Sequence, residues 1–264
     1  MLLRSVFVKT IYDRRRGVLW WSVGISILTV AVLSVWPSVR DEYQKLVQNY
    51  PQALLAFFGI EKGGLGTGAG YLQAELFGLM LPLTLIAYMI AAGSAATAGE
   101  QEAGTLEFLL AQPVSRTRVL LEKFGGLCIS LAVITAVFAG VLVVSCRVFD
   151  IGVSAPHLLA ATAAAYVLAL LFGAVALLAG CLTGHRALAA GIASAAALTA
   201  YLLSSLAALV AGLKPFRPIS PFWWYNGHDP LRQGLEPLHI GLLVAVTVVC
   251  IVGATLSFAR RDLT

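Results

Sequence analysis

Six apolar stretches, each near or beyond 20 residues, recur along this chain, and that recurrence restricts its fold more than any other feature. A helix rises 1.5 Å per residue, so about 20 residues cross a hydrocarbon core of about 30 Å. The runs cover residues 18–36, 71–97, 124–146, 157–183, 187–211 and 238–258. Several exceed the minimum, which implies tilt or extension into the headgroup region. Composition agrees. The 264 residues are 59% hydrophobic and 12% charged, and mean hydropathy is +0.87, whereas soluble domains carry about 25% charged residues. The expected fold is all-α: a single six-helix transmembrane domain over residues 17–264, preceded by a segment at 1–16 that lies in the membrane interface.

The first apolar run follows a basic N-terminus but is too long for a signal-peptide core and lacks a small-residue cleavage site, so it is expected to be retained. In residues 1–16, Leu3, Val6, Phe7 and Ile11 fall at helical spacing, with Arg4, Lys9 and Arg14 to Arg16 among and after them. Such a segment suits an elbow helix with its apolar side in lipid and its cations near anionic headgroups. The alternative is a plain extension of the first span. Six spans put both termini on one side, and eleven of the eighteen Lys and Arg residues fall there, which by the positive-inside rule is the cytoplasm of a bacterial-type inner membrane. The net charge of +5 reflects this sidedness, and it excludes a nucleic-acid partner, which would need a solvated basic domain.

On the outer side, Val39, Tyr43, Leu46, Val47 and Tyr50 recur every three or four residues and suggest a short amphipathic helix ended by Pro51. The glycine cluster from Gly63 to Gly70 lacks the Lys-Ser or Lys-Thr of a phosphate loop and reads as a connector. The outer segment from Gly212 to Pro237 has five prolines and the run Phe222 to Tyr225, which predicts a folded cap with aromatic anchors at the membrane boundary. Spans four and five are joined only by Gly184, His185 and Arg186, a tight hairpin in which Gly180 and Gly184 form a small-xxx-small pair allowing close approach.

Catalytic groups are not evident. Cys128, Cys146, Cys181 and Cys250 lie within or at the ends of spans without metal-ligand spacing and read as small apolar residues, so no metal site is expected. No HExxH and no Ser/His/Asp arrangement occurs, so the chain is not expected to be an enzyme. Glu75, near the outer end of span two, is the one firmly embedded acid, and it can face either a translocation path or the outer interface. Tyr88 and Met89 of the same span are further candidates for lining such a path.

The charges that the spans avoid are concentrated between spans two and three, in residues 99–123. With about 100° between successive helical residues, Leu106, Leu109 and Leu110 share a face with Ala103, while Glu100 and Glu107 align with Gly104 and Ala111 on another. Glu102 falls in the first turn, where acids suit the helix dipole. Pro113 ends this helix, and Ser115 is placed to cap a second one running into span three. The expected result is a short helix across the ends of two spans, leucines toward the membrane and an acidic ridge outward.

The order Glu100, Gly104, Thr105, Leu106, Glu107, Leu109, Leu110, Gln112, Pro113, Val114, Ser115, Arg116 and then Lys123 resembles the cytoplasmic loop of type 2 ABC exporter permeases. The basic segment 1–16, the stretch from Tyr50 to Ile60 and that from Ser220 to Gly234 extend the resemblance over nearly the whole chain. It implies that Glu100, Glu102, Gly104, Thr105, Leu106, Glu107, Leu110, Pro113 and Arg116 belong to a coupling helix docking on a separate nucleotide-binding ATPase subunit. It implies two permeases, identical or similar, framing the path. This chain has no Walker A sequence, so it would bind no cofactor itself, and ATP and magnesium would sit on the partner. The implied activity is export of a hydrophobic or amphipathic substrate such as a drug, antibiotic, peptide or lipid. The alternative is a non-transporting membrane subunit that relays ATPase-driven motion, as in copper-enzyme assembly.

Overall fold

Apolar length becomes helix length in the computed structural model, which describes residues 6–48, 67–102, 115–207 and 209–260. Among these, six helical segments are long and apolar enough to cross a membrane: Val6–Arg40, Gly68–Gly99, Arg116–Val148, Ala155–Thr183, Arg186–Ala207 and Pro237–Ala259, hereafter spans one to six. No strand occurs among the described residues. An all-α path is what the bilayer demands, because a helix satisfies its own backbone groups where water is absent.

Span one belongs to a longer helix, Val6–Gln48, that runs without interruption from the basic segment and carries Pro37 inside it. Residues 6–16 are therefore the extension of the span rather than a separate elbow. The reason is packing at its start: Thr10 lies against Gly126 and Phe7 against Gly125, both of span three. The helix also runs through most of the predicted outer amphipathic stretch, to Gln48; Tyr50 to Ile60 lie outside the described residues.

Span four is the most buried of the six and lies against spans two, five and six, while span one packs mainly along span three. Its buried stripe is rich in small residues, including Ala161, Ala165, Ala169, Gly173 and Ala176, which lets neighbouring helices approach closely. Large apolar side chains such as Trp20, Ile27, Val144 and Val249 cover the outside of the bundle, as a hydrocarbon surrounding requires. The glycines of the hairpin divide their work. Gly180 faces span two, where an added Cβ would stand 2.6 Å from Thr97 Oγ1. Gly184 ends span four at φ 72°, the left-handed conformation of a helix C-cap. The pair thus seats span two and closes a turn, and it does not bring spans four and five together.

At the opposite end, the proline-rich segment forms three short helical elements, Ala211–Ile219, Pro221–Asn226 and Pro230–Gln233. The aromatic run points partly inward, against the expectation of boundary anchors. Phe222 is buried against Phe172 and Tyr201, and the buried Tyr225 donates its hydroxyl to the Phe77 carbonyl at 2.8 Å. Trp224 donates to the Pro218 carbonyl at 2.6 Å. Alternation within one helical turn sends Phe222 and Tyr225, three apart, to the same buried face.

Candidate functional site

The end of the bundle where span two closes and span three opens collects most of the charged contacts among the described residues, so the site is built there. Residues 103–114 lie outside the described residues, and with them Gly104, Thr105, Leu106, Glu107, Leu110 and Pro113. What is described is how the chain leaves span two and rejoins span three. It leaves through a π-helical turn, Ala95–Gly99, followed by a single turn, Glu100–Glu102. It returns at Ser115, whose hydroxyl accepts the Arg118 N–H at 3.3 Å, the N-cap expected from sequence. Arg116, half-buried, opens the span.

Glu102 has a partner within the chain. Its Oε1 accepts the backbone N–H of Arg186, the first residue of span five, at 2.8 Å, and stands 3.8 Å from His185 Nδ1. The first N–H groups of a helix lack intrahelical acceptors and carry the positive end of its dipole, so a carboxylate is suited to that place. The turn leaving span two is thereby tied to the turn between spans four and five.

Three further charges hold spans one, two and three to one another. Arg14 Nη2 donates to the Ala92 carbonyl at 2.7 Å, and Lys123 Nζ donates to the Ala96 carbonyl at 2.7 Å. Lys123 is 2% exposed, so its ammonium needs such compensation. Both carbonyls belong to the last turns of span two, at and just before the π-helical turn, a type of distortion frequent at functional sites. Glu122 accepts the Phe7 N–H at 3.1 Å through Oε2 and Arg118 Nε at 2.8 Å through Oε1. Between these groups lies a cavity of about 290 Å³, bounded by Lys9, Thr10, Asp13 and Arg14 of span one, the Ala96 region of span two and Lys123.

Arg14 and Glu122 were not distinguished in sequence from neighbouring solvated charges. Lys123 did leave a signal: it occupies the stripe of Val119, Leu120, Gly126 and Leu127, a helical face that is otherwise without charge and is buried throughout.

The candidate path residues are dispersed. Met89 is fully buried and packs on Gly173 of span four, and Tyr88 is buried with its ring edge-on to Trp21 of span one, centroids 5.7 Å apart. Neither faces an open surface of the chain. Glu75 is exposed, in a second π-helical turn, Gln73–Phe77, near the opposite end of span two. Tyr88 and Met89 are thus not brought together with Glu75. Among the described residues no three His, Cys, Asp or Glu side chains approach as metal ligands do.

A bundle with six helical apolar spans, whose charged contacts among the described residues lie toward its ends, is a multi-pass membrane protein. A sequence model described as ABC-2 family transporter protein matches residues 4–263, and the chain belongs to that family. It is accordingly a membrane transport component, of a family associated in general with an ABC-type ATPase. No curated protein matches the chain.

Proposed function

We propose that this chain is the permease subunit of an ATP-driven exporter that moves a hydrophobic or amphipathic substrate outward. Both termini and residues 99–123 face the cytoplasm of an inner membrane. A separate nucleotide-binding subunit, carrying ATP and magnesium, docks on residues 99–123, and a second permease, identical or similar, completes the path. The observation that carries this reading is the anchoring of that segment on both sides. Glu102 is bonded to span five, and Lys123, close behind Ser115, is bonded to span two. A partner pressing on the intervening residues acts on three spans of a family member whose sequence match covers residues 4–263.

Charge reversal tests it. A solvated surface charge contributes about 0–1 kcal/mol, whereas opposing a partner at a desolvated contact costs about 2 kcal/mol or more. The Glu100→Lys, Glu107→Lys double variant should lose co-purification of the ATPase, or substrate-linked ATP turnover, relative to the parent. Retention of both at parental levels would remove the coupling role from this stretch. Substrate-stimulated turnover in the reconstituted complex separates export from motion relay without cargo.

A further inference from the structure

We infer that the cavity between spans one, two and three is a binding site for the phosphate-bearing headgroup of an anionic phospholipid. This inference is independent of how an ATPase docks. Three cations, Lys9, Arg14 and Lys123, border the cavity against one acid, Asp13, so its wall carries two positive charges in excess. Basic pockets between spanning helices at the headgroup level are the type of site that selects anionic lipid.

Geometry supports the same ligand. Arg14 and Lys123 are fixed by their bonds to the Ala92 and Ala96 carbonyls, so part of the charge is placed before any ligand arrives, which lowers the ordering cost of binding. A volume of about 290 Å³, against about 30 Å³ per water in the liquid, admits a phosphate with a short polar substituent. On the cavity side of the same helix, in line with Lys9 and Asp13, Trp20 is exposed at 71%. Its ring offers an apolar track for an acyl chain below a polar head. Trp20 lies ten residues beyond Thr10, about 15 Å along the helix axis, within acyl-chain reach. A free phosphate shares the headgroup chemistry but has no use for that track. A zwitterionic choline headgroup brings a cation to a wall already in positive excess.

The experiment is native mass spectrometry of the full chain in detergent, titrated separately with phosphatidylglycerol and phosphatidylcholine, with inorganic phosphate added as competitor. The parent should retain phosphatidylglycerol in preference to phosphatidylcholine, and phosphate should fail to displace it. Lys9→Gln, an exposed cavity-wall change that leaves helix packing alone, should weaken retention about fivefold, the worth of one cation near an anionic headgroup. Arg15→Gln, exposed on the same helix about 120° round from Lys9 and outside the cavity, should leave retention roughly at the parental value. Equal retention of both lipids would overturn the proposal, as would displacement by phosphate at matched concentration. Equal weakening by Lys9→Gln and Arg15→Gln would show diffuse surface attraction in place of a built site, and a parental Lys9→Gln would also refute it.

Discussion

Spans two and four approach backbone to backbone where they cross, and one methyl group tests that contact. A Cβ on Gly93 would stand 2.5 Å from the Gly173 carbonyl oxygen and 3.2 Å from the Ala176 Cβ, whereas ordinary Cβ contacts begin at 3.4 Å. The opposing atom is backbone and cannot rotate away, so in Gly93→Ala the two helices must part by about 1 Å, with overpacking that costs about 1–3 kcal/mol. Alanine returns about 1 kcal/mol of helix propensity, leaving a net loss of about 1 kcal/mol. Gly191→Ala in span five is the control, because a Cβ there meets nothing within 4 Å and the propensity gain stands unopposed. The two variants should differ by about 2 kcal/mol, which at about 2–4 °C per kcal/mol separates their melting points by roughly 4–8 °C. Thermal unfolding in one detergent, followed by tryptophan fluorescence, reads the difference. Gly93→Ala melting with or above Gly191→Ala would refute the close approach of these spans.

Glu102→Ala removes the acceptor of the Arg186 N–H and should cost about 1 kcal/mol, the usual worth of a helix cap; amide exchange should accelerate at the start of span five and stay parental in Pro221–Asn226. Tyr225→Phe leaves the Phe77 carbonyl without its side-chain donor and should destabilise by about 1–3 kcal/mol at neutral pH. Burial raises the Tyr225 phenol well above its ordinary range, so the stability it contributes is complete below a pH of about 10 and is lost as the pH rises beyond that toward the folded value. The parent should therefore lose stability in alkali more steeply than Tyr225→Phe, and parallel alkaline melting profiles would contradict that assignment. Lys123→Met strands the Ala96 carbonyl and should lower the melting point, with Lys123→Glu lowering it further by setting two acceptors against each other.

The spans were legible because an apolar run of given length needs no tertiary information to be read as a crossing. Their limits were not, because limits depend on neighbours. Residues 6–16 contain nothing that stops a helix, and whether they bend into the interface is decided by Phe7 and Thr10 meeting Gly125 and Gly126, more than a hundred residues away. Ser115 was readable as a cap because its hydrogen bond is local. Tyr225 looked like a boundary anchor because its acceptor, the Phe77 carbonyl, is 148 residues distant.

Sequence also treats every charge at a span end as solvated, since cations outside the hydrocarbon are cheap there and the sidedness rule only counts them. The structure assigns several of these charges to backbone groups of other spans, and the choice of partner has a physical logic. A carbonyl near a π-helical turn can accept a second donor beside its helical one, and an N–H in the first turn of a helix lacks an intrahelical acceptor. Arg14 and Lys123 take the first kind, and Glu102 takes the second. Each bond therefore joins a backbone group near a helix end to a side chain from another span. The stretch between Glu102 and Ser115 is flanked by such joints, Glu102 to span five before it and Lys123 to span two after it, while Arg14 joins span one to span two. That connectivity belongs to the folded arrangement of the charges, and their order along the chain does not reveal it.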